Sequence, residues 1–147
     1  MPRNAADYEK DFYAWTLEQA KLLRSGELSK IDALNIAEEI ESVGRRDRRE
    51  IFDRLENLIM ELLKWGMEPG ARCGNWQSKI IQQRFELEQV IEDSPSLRQF
   101  AADSLNEVYS DARDRIVEEI GLLEPDFPAE CPFTLEQILA ADFLPEG

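Results

Sequence analysis

Between Leu97 and Ile120 the residues Leu97, Ala101, Leu105, Val108, Ala112, Ile116 and Ile120 recur every three or four positions without interruption. That spacing keeps them on one side of an α-helix, whereas in a strand successive side chains point to opposite faces. The rhythm returns along the chain. Tyr8, Phe12, Trp15 and Leu22 predict a helix from about Tyr8 to Arg24, stopped by Ser25-Gly26. Ile31, Leu34, Ala37, Ile40 and Val43 predict another opening near Ile31 or Asp32. Ile51, Leu55, Leu58, Leu62 and Trp65 mark a third, and Trp76, Ile80, Leu87, Val90 and Ile91 a fourth. No stretch alternates apolar and polar residues between turn pairs as a half-buried strand does. The expected fold is therefore all-α: a single-domain bundle of about five to six helices with short loops, with residues 1–6 flexible. A chain of 147 residues with 43% hydrophobic content suits one such core.

Helix ends follow from capping chemistry. After Val43 the apolar rhythm lapses at Gly44, and Asp47 with Glu50 has the form of a capping box. Two helices are expected there, with one unbroken helix over 31–65 as the alternative. Gly66 to Gly70 ends that segment, Asn75 is expected to cap the next helix, and that helix stops near Asp93. Ser94-Pro95 reads as an N-cap with Pro in the first helical position, and Gly121 as the stop of the long helix. Pro125, Pro128 and Pro132 predict an extended connection. Thr134 with Gln137 forms a capping box for a last short helix, after which Phe143 and Leu144 are expected to cover the open end of the bundle.

The formal charge of −14 is concentrated in the second half, where residues 76–147 hold 5 Lys and Arg against 16 Asp and Glu. Such a field favours a partner with a basic surface and disfavours nucleic acid and anionic membranes. No apolar run is long enough to span a bilayer and the start lacks the apolar core of a secretion signal, so a cytoplasmic location is expected. Cys73 and Cys131 are then read as two free thiols.

The chain has no histidine. Ser-His-Asp and Cys-His catalysis and zinc sites of the Cys/His type are excluded with it. Carboxylates remain. Glu38, Glu39 and Glu41, followed by Glu50 and Asp53, faintly match the acidic helix motifs with which all-α nucleotide pyrophosphohydrolases hold magnesium. Position 42 is Ser where that pattern wants Glu, and a solvated helix face explains the run more simply. Glu61 and Lys64 flank the line Leu58, Leu62 and Trp65 at the border of the core, where Glu61 is a candidate acid or base and, more simply, makes a structural pair with a nearby Lys or Arg such as Lys64 or Arg84. Arg45, Arg46, Arg48 and Arg49 form the one basic cluster. They are candidates for contact with an anion or acidic partner, and more simply a solvated turn paired with the acidic second half. The aromatics Phe12, Tyr13, Trp15, Trp65, Trp76 and Phe85 are expected in the core.

Several motifs occur together and in order. They are Asp11-Phe12-Tyr13-x-Trp15; Gln19-Ala20-x-Leu22-Leu23-Arg24-x-Gly26; Asn35-x-Ala37-Glu38-Glu39-Ile40-Glu41-x-x-Gly44; Leu62-Leu63-Lys64-Trp65; Trp76 with Ile80 and Arg84; Ser94-Pro95-Ser96-Leu97; and Cys131-Pro132 before Thr134. In combination they resemble a bacterial family known as domain of unknown function 29 (DUF29), over residues 8 to 145. The resemblance implies a compact helical domain without an established activity. Its most polar helix motif makes Asn35, Glu38, Glu39 and Glu41 the candidate polar site, with Glu61 and Lys64 beside it. Glu61 stands where many relatives carry His.

Two functions are expected from different classes. The first is a non-enzymatic binding or regulatory module acting through protein–protein contacts. The alternative is a hydrolase of nucleotides or other phosphorylated small molecules using Mg or Mn held by helix-borne carboxylates. No cofactor is expected under the first, and a homodimer is compatible with either.

Overall fold

The computed structural model describes residues 8–121 and 127–146. The expected flexibility of residues 1–6 and the part of the extended connection that holds Pro125 lie outside the described residues. Among the described residues the fold is all-α, with no strand. They divide into two compact units, one up to Arg46 and one from Asp47.

In the first unit residues 8–10 are helical, but the helix expected from Tyr8 is interrupted at Asp11. Asp11 leaves the helical region (φ −147°, ψ 79°), and its carboxylate accepts from the Ala14 N–H at 3.1 Å, which starts helix α1 (Phe12–Arg24) afresh. Aspartate satisfies a free N–H at a helix start better than it serves inside one. Ser25 closes α1, and Gly26 follows at φ +76°, the left-handed conformation a side chain would strain. After a single 3₁₀ turn (Leu28–Lys30), Asp32 accepts from the Asn35 N–H at 3.4 Å and caps α2 (Ala33–Met67).

Helix α2 runs unbroken for 35 residues. The two-helix expectation and its Asp47–Glu50 box are thereby corrected: both residues are internal to the helix, and Gly44 keeps a helical backbone. A lapse in apolar rhythm removes packing from a helix without removing its hydrogen bonds. Glu and Arg are good helix formers, and the Arg45–Glu41 and Arg54–Glu50 contacts one turn apart (3.8 and 3.2 Å) offset part of the roughly 1 kcal/mol that one glycine costs.

The second unit holds the main core. Ile51, Leu55, Leu58, Ile59 and Leu62 of α2 are fully buried with Ile80 and Leu87 of α3 (Gly74–Asp93) and Val108, Ala112 and Ile116 of α4 (Leu97–Ile120). Ile138 of the short α5 (Leu135–Leu139) joins them, and Phe143 and Leu144 pack against this core as expected. Helix α3 begins right after the extended Cys73, so Asn75 sits in its first turn and is not the cap. Helix α4 begins at Leu97, two residues later than the Ser94-Pro95 pattern suggests. The intervening residues make a tight turn, with Leu97 N–H to Ser94 O at 2.9 Å and Arg98 N–H to Pro95 O at 3.1 Å. Gly121 ends α4 at φ +71°. Thr134 and Gln137 form the reciprocal box at 3.1 and 3.0 Å. Cys73 and Cys131 are free thiols.

One buried cation was not foreseen. Arg84 on α3 is 4% exposed and donates to the carbonyls of Ile138 (2.7 Å) and Phe143 (2.5 Å), tying the C-terminal segment to the core. Burial lowers its pKa, and Asp142 acts in the opposite direction. No helix among the described residues is long and apolar enough to cross a membrane.

Candidate functional site

The polar residues of the first unit converge on the joint between α1 and α2. Trp15 Nε1 donates to Asp32 Oδ2 at 3.2 Å, and Asn35 Nδ2 donates to the same oxygen at 2.7 Å. Gln19 Oε1 accepts from the Asp32 N–H at 2.8 Å, and farther along the Tyr8 hydroxyl donates to Glu39 Oε1 at 2.6 Å. Of the candidate polar site, Asn35 and Glu39 are thus spent on holding the hairpin. Glu38 takes Arg45 at 2.9 Å, and Glu41 meets the same guanidinium at 3.8 Å.

Glu61 and Lys64 belong to the second unit, and the two do not pair as expected. Glu61 accepts from Trp76 Nε1 at 2.5 Å, and Trp76 meets Trp65 edge to face at 5.2 Å. Lys64 pairs with Glu119 at 2.9 Å, which holds the Glu119 carboxyl below its ordinary range, while Arg84 is engaged by backbone carbonyls. Glu50 pairs with Arg54, and Asp53 is exposed. Among the described residues no three or more Cys, Asp or Glu come together as metal ligands.

The arginines separate as well. Arg45 answers the acidic residues of its own helix. Arg48 stacks its guanidinium 4.7 Å from the Phe100 ring centre, and Arg46 and Arg49 are exposed. The aromatic expectation holds for the buried Trp15 and Trp65 and for the half-buried Trp76, but Phe12, Tyr13 and Phe85 are exposed. The reason is the same for all three: helical spacing places a residue on a face without saying whether another element covers that face.

What remains open is apolar. Between α1 and the first part of α2 lies a groove of about 260 Å³, walled by Trp15, Ala20 and Leu23 on one side and Ile36, Ile40 and Val43 on the other. Ile40 is 67% exposed, Val43 51% and Leu23 43%. Gln19 and Glu39 also contribute to the wall. Gln19 is buried, and its Nε2 has no acceptor among the described residues. Such an orphaned donor costs roughly 1–3 kcal/mol.

The Tyr8–Glu39 bond can be read out directly. Donation to a carboxylate pushes the Tyr8 pKa up from 10.0 to about 12. Because the folded state holds this proton more tightly, the bond's contribution is complete below pH 10 and is lost as pH rises through about 12. Ultraviolet titration of Glu39→Gln should return Tyr8 towards an ordinary tyrosine pKa; an unchanged value would show that the carboxylate is not the cause.

The family described as domain of unknown function DUF29 matches residues 8–144. The chain belongs to that family. No curated protein and no solved structure matches the chain. The match begins on Tyr8, the residue whose hydroxyl holds Glu39, and so takes in the whole hairpin. Much of what the DUF29 resemblance rested on is accounted for by folding: Asp11 caps, Gly26 turns, and Trp15, Gln19 and Asn35 close on Asp32. Sequence reasoning missed Asp32 as the hub. The available signal was an Asp three residues before Asn35, in the capping position of a helix whose first turn lacks acidic residues.

Proposed function

We propose that this DUF29 chain is a non-enzymatic binding module acting through protein–protein contacts, with the N-terminal hairpin as a contact surface. The observation that carries the reading is the apolar groove. Leaving Leu23, Ile40 and Val43 in water forgoes about 25 cal/mol for each Å² that could be covered, and contiguous apolar patches on soluble proteins mark interaction sites. The second unit adds a field. From Asp47 onward 10 Lys and Arg stand against 22 Asp and Glu, which steers basic protein surfaces towards it and repels nucleic acid. Two free thiols suit the reducing cytoplasm. Mg- or Mn-dependent hydrolysis has no observation in its favour, because the carboxylates it would draw on are paired or dispersed.

A photo-crosslinking amino acid at position 40, introduced in cells, is expected to give a discrete adduct with a protein. The absence of any protein adduct would overturn the reading. The acidic unit is tested separately, by capture at low salt of a basic protein that is released as the salt rises.

A further inference from the structure

We infer that the groove of the N-terminal hairpin is covered by a second copy of this chain, the two hairpins closing into a four-helix arrangement about a two-fold axis. The inference rests on the reading of the hairpin as a protein contact surface and names the protein that occupies it.

The first argument is incompleteness. Of the described residues up to Arg46, Trp15 is the one buried hydrophobic residue, while Phe12, Leu23, Ile40 and Val43 stay substantially exposed. Pieces of this size seldom close a core alone, and association is a common remedy. A two-fold pairing uses the same patch twice, so each apolar contact made is made again by symmetry. Two-helix hairpins pairing in this way give the layout of a four-helix bundle.

Charge selects the face. Residues up to Arg46 carry 7 Lys and Arg against 9 Asp and Glu, a net −2 of the chain's −14. Two such acidic chains repel least where they meet through this unit. The surroundings of the groove also argue against a basic ligand. Lys21 and Arg24 lie in the last turn of α1, and Glu38 and Glu41 on α2 are already answered by Arg45. The rim thus carries basic residues on α1 and an answered acidic pair on α2, which suits a surface of the same composition, whereas a basic peptide calls for uncompensated carboxylates.

The test is sedimentation equilibrium of the full chain over a wide concentration range. The wild type should approach twice its 17.0 kDa mass. Leu23→Glu and Ile40→Glu should each weaken the association at least tenfold, since each places a charge in the apolar contact, with helical circular dichroism retained. Phe85→Glu, an exposed position of the second unit, should associate like the wild type. A wild type that stays at 17.0 kDa throughout overturns the inference, as does a dimer indifferent to both hairpin variants. The adduct at position 40 separates the two readings. A monomeric chain that crosslinks to a different protein loses the second copy but keeps the contact surface, while a monomeric chain without adducts loses both.

Discussion

Replacing Arg84 by Met is expected to destabilise the second unit by about 3 kcal/mol, an estimate built from two carbonyls left without their donor at roughly 1–3 kcal/mol each. The guanidinium bridges Ile138 O and Phe143 O, and both acceptors sit on the segment that closes the core at the C-terminal end. Met fills much of the same volume, so the change reports the lost hydrogen bonds more than a cavity. Part of the loss is returned, because the buried cation no longer has to be desolvated. For a chain of this length each kcal/mol moves the melting temperature by roughly 2–4 °C, which gives a fall of about 6–12 °C in calorimetry. Arg84→Lys should lose somewhat less: an ammonium keeps the charge but cannot present a planar fork to two carbonyls. A melting temperature unchanged by Arg84→Met would mean that these carbonyls find other donors.

Trp15→Ala should unfold the N-terminal hairpin selectively. Removal of a buried Trp costs roughly 3–5 kcal/mol, and here the side chain is the main buried mass of its unit and also the donor to Asp32. Among the described residues up to Arg46 no other hydrophobic side chain is buried to absorb such a loss. Amide hydrogen exchange should therefore show positions 12–43 close to unprotected, with helical circular dichroism reduced in proportion, while the core around Leu58, Leu87 and Ile116 keeps its protection. Trp15→Phe keeps most of the ring and removes only the donor, so a loss of about 1 kcal/mol is expected from one hydrogen bond. Hairpin amides that remain protected in Trp15→Ala would show that the hairpin draws its stability from contacts other than Trp15.

Both variants bear on how much of the site was legible. Asn35 and Glu39 stood out as polar residues on an amphipathic helix, and that placement is right. Their occupations were not legible, because a side chain that binds a ligand and one that fastens a hairpin share composition and spacing. Asn35 closes on Asp32 and Glu39 on Tyr8, and the latter bond links residues 31 positions apart. Glu61 shows the same limit: its partner is Trp76, found only once α3 lies beside α2. In the sequence Arg84 reads as a motif residue and as a partner for Glu61. Nothing near it in sequence announces that its guanidinium is needed 54 and 59 residues away.

The class of the fold was determined by sequence alone, and so were the helix ends at Gly26, Gly121 and Thr134. These are local matters: apolar spacing, a left-handed glycine and a reciprocal cap each act within a few residues, where the chain itself holds all the partners. The uninterrupted Leu97–Ile120 stripe is the clearest case, and it became one helix. Tertiary structure decided the rest. It assigned Glu39, Glu61, Lys64 and Arg84 to distant partners, and left Leu23, Ile40 and Val43 at an open groove. The physical reason is that periodicity reports which face of a helix is apolar, while burial requires a second surface, and on the N-terminal hairpin that surface is not supplied by the hairpin itself.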